Sequence, residues 1–264
     1  RRPGAARARL RAAPPGGRTI VVANQLDRSS IIGPGGKVEA TTRAIMVPDG
    51  AAMCRGRLLL SGLHSGDGTN GTSEGVFEVD TARRVRLLYS TRRGSAMRAF
   101  FGSTDMLASR ADRVIGGVPN RAELMVSDSG CHSFRTIPVR LSWFVPWEKA
   151  DPMPAFTKPM QPRVTAVRFV SDTRAAMLVI RAYSKATFEP FPGRSAVPVP
   201  RGNGPWAETV LVIVNLTTGH VVSEEILSQF NWRFASDSEL VAHTLNGEDR
   251  SGFMLRPIEP TNRR

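Results

Sequence analysis

The chain has 264 residues, of which 41% are hydrophobic, and its formal net charge is +13. This length is enough for one large domain or two small ones, and the composition is too apolar for a wholly disordered chain. No apolar run approaches the roughly 20 residues that a membrane-spanning helix requires. The sequence therefore predicts a globular protein without a transmembrane helix and without a membrane partner.

The positive charge is carried almost entirely by arginine, since only four lysines occur. Residues 1–17 combine Arg with Ala, Pro and Gly, lack apolar periodicity, and predict a disordered arm. The charge has two interpretations: an anion-seeking surface for RNA or acidic protein, or arginines scattered over solvated faces. We favour the second, because few arginines cluster beyond the termini. The chain begins with Arg1 rather than Met, and one interpretation is that it is a segment of a longer protein.

Two cysteines, Cys54 and Cys131, belong to no CxxC motif and fit no zinc-site spacing. They could form one long-range disulfide or remain two buried thiols. We favour the thiols, which would place the protein in a reducing intracellular compartment.

From Arg18 onward, short apolar runs alternate with clusters of turn residues. Many runs are rich in β-branched residues, and several alternate apolar with polar positions, which is typical of half-buried strands. The predicted strands lie at 19–23, 44–47, 57–61, 75–79, 85–89, 123–126, 133–137, 164–170, 176–180, 210–214, 239–243 and 252–255. Segment 223–230 is a candidate for a short helix. Closely spaced strands without helical crossovers predict antiparallel sheets, arranged as a sandwich, barrel or propeller.

An internal repeat favours the propeller. Residues 124–137 read Leu-Met-Val-Ser-Asp-Ser-Gly-Cys-His-Ser-Phe-Arg-Thr-Ile, two alternating strands around a tight turn. This segment resembles the core of an NHL repeat, in which a strand ending in Val-Ala-Asp precedes a Thr-Gly-Asn-His turn and an Arg-Ile-Arg-x-Ile strand. The positions that match are Val126, Asp128, Gly130, His132, Arg135 and Ile137. Cys131 stands in place of the usual Asn, and Ser133 in place of a frequent Arg.

Weaker blade-like units cover 20–38, 164–172, 212–222 and 234–241, and segment 212–222 resembles the strand–turn–strand unit of WD-repeat blades. The resemblance implies an all-β, β-propeller-like fold of about five to six four-stranded blades, in a ring that can be incomplete. The expected organisation is the arm at 1–17, NHL-like blades at 18–137, a Pro-rich connection at 138–162 and further blades at 163–260. The Pro-rich stretches at 138–162 and 190–205 are expected to be loops, because proline is excluded from central strands.

No catalytic or metal-binding motif emerges from residue spacing. The four histidines show no HxH or HExxH spacing, and kinase, P-loop, EF-hand and GxSxG signatures are absent from the sequence. We therefore predict no catalytic residue, no cofactor and no metal. The enzyme alternative is a propeller hydrolase or lyase with an axial metal. It requires Asp67, Asp128, His132 and Asp237 to converge in one cavity.

Five residues are candidates for contact with a partner. Trp143, Trp147 and Trp206 flank the Pro-rich stretches and could anchor a partner, although loop aromatics more often pin their own loops. His132 and Arg135 lie in the NHL-like repeat. Analogy at the level of the fold then predicts a non-enzymatic protein-interaction scaffold. The second alternative is an RNA-binding propeller with a basic face, although its arginine clusters lack neighbouring aromatics on which bases could stack.

Overall fold

The computed structural model describes residues 9–12, 20–25, 28–32, 38–42, 45–65, 72–79, 85–91, 105–147, 161–183, 188–191, 194–200, 207–227, 232–246 and 250–258. Every regular element within these ranges is a β-strand, and every strand pairing is antiparallel. The prediction of an all-β chain is therefore confirmed.

Most of the strands form four-stranded sheets. The first contains β1 (Arg9–Ala12), β2 (Ile20–Gln25), β3 (Arg28–Ile32) and β4 (Val38–Thr42). The second contains β5 (Ile45–Cys54), β6 (Arg57–Ser65), β7 (Thr72–Val79) and β8 (Val85–Ser90). The third contains β9 (Leu107–Arg110), β10 (Arg113–Val118), β11 (Glu123–Ser127) and β12 (Phe134–Pro138). In each of these sheets, strands that are consecutive in sequence are neighbours in space, so each sheet is a simple meander.

The remaining strands form three sheets. One has the order β13 (Arg163–Ser171), β14 (Arg174–Ala182), β17 (Ala207–Asn215) and β18 (Val221–Leu227). The hairpin of β15 (Phe188–Phe191) and β16 (Arg194–Pro200) is inserted between β14 and β17 as a separate two-stranded sheet. The last sheet has three strands: β19 (Trp232–Phe234), β20 (Glu239–Asn246) and β21 (Arg250–Pro257).

The position of a strand in its sheet explains its apolar pattern. β17 lies between β14 and β18, and all of its residues except the last are buried. Because both of its faces are covered, its sequence reads as the continuous apolar run Val210–Val214. β8 is the edge of its sheet and has no fully buried residue. Its sequence therefore mixes polar with apolar positions.

The chain divides into two compact units. Unit 1 contains residues 1–116 and 125–135, and unit 2 contains residues 117–124 and 136–264. In unit 1 the first strands of successive sheets contact each other, β1 with β5 and β5 with β9. The main-chain amide of Met106 donates to the carbonyl of Asp49, across 3.1 Å. A Cβ atom at Gly50 would collide with the amide nitrogen of Leu107, so glycine is needed where these two strands approach.

Three tight turns are joined at one end of the sheets in unit 1. They connect β5 to β6, β9 to β10 and β11 to β12, and each contains a residue in the left-handed region: Arg55 (φ 48°), Ala111 (φ 52°) and Cys131 (φ 58°). A disulfide links Cys54 to Cys131, which are 77 residues apart. The main-chain amide of Gly130 donates to the carbonyl of Asp112 (3.1 Å), and Arg55 forms an ion pair with the Asp112 carboxylate (3.1 Å).

The disulfide overturns the prediction of two buried thiols. Neither cysteine is free, and both are buried, with 1% or less of their surface exposed. The distance between them along the chain hid the pairing, because only the packing of two sheets brings their turns together. The inference of a reducing intracellular compartment rested on free thiols and therefore loses its basis.

Unit 2 contains a core between the sheet of β17 and the last sheet. It includes Leu178, Leu211, Trp232, Phe234 and Leu240. The first strands of these two sheets, β13 and β19, contact each other, as the first strands do in unit 1. Contact between the first strands of successive sheets thus occurs in both units.

Three local predictions require correction or comment. Segment 223–230 was a candidate for a short helix, but residues 223–227 belong to β18, which pairs with β17. The Pro-rich stretch 190–205 was expected to be a loop, yet its residues contribute to the hairpin of β15 and β16, where Pro190 lies opposite Pro198. Both strands of that hairpin are edges, where proline is tolerated. Residues 9–12, within the expected disordered arm, pair with β2 as β1.

Candidate functional site

The predicted contact residues belong to different parts of the chain. His132 and Arg135 lie in unit 1, and Trp143 and Trp147 lie in unit 2. Trp206 lies outside the described residues. Arg135 is exposed on β12.

His132 belongs to the turn between β11 and β12, and its main chain is held by Asp128. The Asp128 carboxylate accepts the His132 main-chain amide (2.8 Å) and the Ser133 hydroxyl (2.8 Å). The hydrogen bond from the His132 amide, reinforced by Ser133, holds the pKa of Asp128 below its ordinary value. Asp128 thus acts as the side chain that closes this hairpin.

An arginine links this turn to the neighbouring sheet. Arg57 donates to the main-chain carbonyl of Gly130, and its guanidinium lies 3.4 Å from Nδ1 of His132. Arg57 also lies 3.5 Å from the Glu78 carboxylate, which accepts a hydrogen bond from Arg86 at 2.5 Å. This bond from Arg86 is the main reason that the pKa of Glu78 lies below its ordinary value, and the charge of Arg57 acts in the same direction. These contacts give the His132 region a structural role in unit 1.

Trp147 pins the loop that follows β12. Its indole N–H donates to the carbonyl of Pro162 (2.8 Å), and its main-chain amide donates to the carbonyl of Asn120 (3.2 Å). The Asn120 side chain in turn donates to the Trp147 carbonyl (2.6 Å). With its polar groups used in this way, Trp147 fits the interpretation of a loop anchor within the molecule.

Trp143 is held in place by charged residues of two strands. The indole N–H donates to Glu224 on β18 (2.7 Å), and the Arg181 guanidinium of β14 lies 4.5 Å from the ring centroid. At this distance a cation–π contact is favourable. Arg181 also donates to Glu208 on β17 (2.7 Å), whose side chain is only 7% exposed. Arg181 therefore neutralises a buried carboxylate and at the same time fixes the orientation of the indole.

Exposed apolar side chains occur on the strand that holds the indole and in the segment that follows Trp143. Ile226 lies two residues after Glu224 in β18, on the same face of the strand, and is 55% exposed. Val222 lies two residues before Glu224, where the pairing with β17 shifts register, and is 46% exposed. Val145, two residues after Trp143, is 70% exposed. We name Trp143, Val145, Val222, Glu224 and Ile226 the Trp143 patch. A fixed aromatic ring beside exposed aliphatic groups is the chemistry of an interface centre.

Sequence reasoning identified Trp143 but missed the residues that hold it. Arg181, Glu208 and Glu224 lie on three adjacent strands, and only the strand register brings them together: Arg181 is opposite Glu208, and Val212 is opposite Glu224. Segment 223–230 had been a candidate for a short helix, which left no strand at Glu224 to pair with β17. The alternation of Val222, Glu224 and Ile226 at every second position was the signal that could have found the exposed face.

The residues of the enzyme alternative have other roles where the structure describes them. Asp128 closes its own hairpin, and Asp237 lies 3.8 Å from Arg168. Asp67 lies outside the described residues. Within the described part of the chain, no group of three or more His, Cys, Asp and Glu residues is placed to hold a metal ion.

Comparison with known proteins gives this chain no family. No protein-family model matches the sequence, and no curated protein matches it significantly. Among the residues that the structure describes, no helix has the length and apolarity needed to cross a membrane.

Proposed function

We propose that this protein is a non-enzymatic interaction scaffold that binds a protein partner through the Trp143 patch. The observation that carries the proposal is the fixed indole. Arg181 and Glu224 hold it in one orientation, so little rotamer entropy is lost when a partner packs against it. The neighbouring Val145, Val222 and Ile226 supply apolar area that is exposed in the free chain.

We further propose that the sheets are blades of a propeller-like array. The meander order within the sheets and the contacts between successive first strands support it, as does the resemblance of residues 124–137 to an NHL repeat. The left-handed Cys131 adds to this resemblance, because the family usually has Asn there and Asn tolerates this conformation better than most residues.

The disulfide supports an oxidising compartment for the folded protein, because such bonds persist mainly outside the reducing cytosol. RNA binding stays the alternative, based on the net charge of +13. In the Trp143 patch, however, Arg181 is used by Glu208 and by the indole, and the exposed charge nearby belongs to Glu224. This patch therefore suits a protein partner better than a phosphate backbone.

The proposal is tested by quantitative affinity capture with the full chain as bait. The compared baits are wild type, Trp143→Ala, Ile226→Lys and the control Leu87→Lys, which changes an exposed apolar residue of β8 in unit 1. We expect one set of captured proteins to be lost from both patch variants and retained by wild type and the control. The same proteins captured equally by all four baits would overturn the proposal.

A second experiment distinguishes the alternative function, RNA binding, from binding of a protein partner. Fluorescence anisotropy with a mixed RNA oligomer, at low and moderate salt, should show no binding that depends on Trp143. Salt-sensitive RNA binding by wild type, lost in Trp143→Ala, would replace the protein partner by RNA.

A further inference from the structure

The last sheet, β19–β21, has two different faces. On one face, Trp232, Phe234, Leu240 and Ala242 are buried in the core of unit 2. The strand register places Arg233, Val241 and Leu255 in one row on the other face, and Phe253 and Leu255 on that face are 77% and 62% exposed. We name this second face the β21 face. It is an apolar sheet surface of the kind that marks an interface.

Among the side chains that the structure describes on the β21 face, one carries a positive and one a negative charge. Arg233 is exposed in the row of Val241 and Leu255, and Glu239, two residues before Val241, is exposed beside it. Neither side chain forms an ion pair within the part of the chain that the structure describes. An apolar surface that presents a positive group beside a negative group is complementary to itself.

We propose that the β21 face is a self-association surface that packs against the β21 face of a second copy of this chain. A two-fold axis that passes between Arg233 and Glu239 places Arg233 of each copy opposite Glu239 of the other copy. Phe253 and Leu255 then pack in the centre, and both charges gain a partner. A purely acidic or purely basic partner would leave one of the two charges unpaired.

The size of the face predicts a weak association. The eight residues of β21 span about 26 Å, and three strands are about 14 Å wide. The area enclosed by this length and width is smaller than the roughly 800 Å² that each partner buries in a standard interface. We therefore expect a monomer–dimer equilibrium with a dissociation constant on the order of micromolar. The dimer should persist at physiological salt, where the net charge of each copy is largely screened.

Sedimentation velocity across a range of protein concentrations, with the full oxidised chain at physiological salt, tests the proposal. The variants are Leu255→Lys, the charge reversals Arg233→Glu and Glu239→Arg, and the double reversal with both changes. Leu87→Lys is the matched control, because it places the same charge on another exposed apolar position. Far-UV circular dichroism confirms that each variant is folded.

We expect Leu255→Lys to abolish the dimer and the control to retain it. Each single reversal should weaken dimerisation by about tenfold, because a two-fold interface contains every changed pair twice. The double reversal should restore it to near the wild-type value, and only pairing between two copies of the same face predicts this rescue. A wild-type chain that is monomeric at all concentrations would overturn the proposal. So would folded single reversals that dimerise as well as wild type, or a folded double reversal that stays as weak as the single ones.

Discussion

Removal of the Cys54–Cys131 disulfide is expected to destabilise unit 1 strongly. The two cysteines are 77 residues apart, so in the loop-closure model the bond restricts the unfolded chain by about 4.5 kcal/mol at 25 °C. Engineered and native disulfides often contribute less, so this figure is an upper value. The Cys54 side chain is buried, and Cys54→Ala replaces it with a smaller side chain that fits without overpacking.

The assay is thermal unfolding of wild type and Cys54→Ala, with and without a reducing agent. Oxidised wild type should be most stable, and reduced wild type should unfold close to Cys54→Ala, with a thermal midpoint lowered by about 10 °C. Mass spectrometry of the untreated protein should find it two hydrogens lighter than its reduced form. Equal midpoints for oxidised wild type, reduced wild type and Cys54→Ala would refute the reasoning, because the bond would then restrict nothing in the unfolded chain.

Three further changes test other contacts. Gly50→Ala forces β5 away from Leu107 and should lower the unfolding free energy, measured in urea, by about 2 kcal/mol. In the control Gly56→Ala, the added methyl group meets open space and is strained only by the φ of 77°. Equal losses of stability in the two variants would contradict the close approach of β5 and β9. Arg181→Leu leaves the buried Glu208 without its cation and should lower the free energy of unfolding by about 3 kcal/mol. The double variant with Glu208→Leu should recover much of this loss. If it recovers none, Arg181 does not stabilise the fold through Glu208. The pKa of Asp128 is lowered in the folded state, so its stabilising effect is complete above about pH 4 and is lost as the pH falls through the folded pKa. Between pH 7 and pH 3, Asp128→Asn should therefore lose less stability than wild type, as followed by thermal unfolding. A larger loss in the variant than in wild type would contradict a stabilising role of the ionised Asp128 carboxylate.

The strand content could be read from the sequence because it depends on local patterns. Apolar runs of strand length, such as Val210–Val214, and turn clusters between them repeat along the chain, and they predicted antiparallel strands without knowledge of their partners. Segment 124–137 was also predicted correctly as two strands around a turn, which the structure gives as β11 and β12. Asp128 has the hairpin-closing role that its position between these strands indicates.

Local preference was misleading where a neighbouring strand decided the outcome. Glu224 and Glu225 are good helix formers, but their segment pairs with β17 and buries Leu227 in the core of unit 2. The gain from these contacts exceeds the few tenths of a kcal/mol per residue that separate helix from strand propensity. Pro190 likewise lies in a strand, because its hairpin has only edge strands and no central ladder to interrupt.

Composition and periodicity thus determined the fold class, the places of most strands and the absence of recognisable catalytic motifs from the sequence. The tertiary structure alone decided which distant residues meet: Cys54 with Cys131, Arg181 with Glu208 and Trp143, and the exposed face of β21. The physical reason is that a strand's apolar pattern depends on its own residues, whereas its neighbours depend on register and sheet packing. These involve residues far apart in sequence, and no local pattern encodes them.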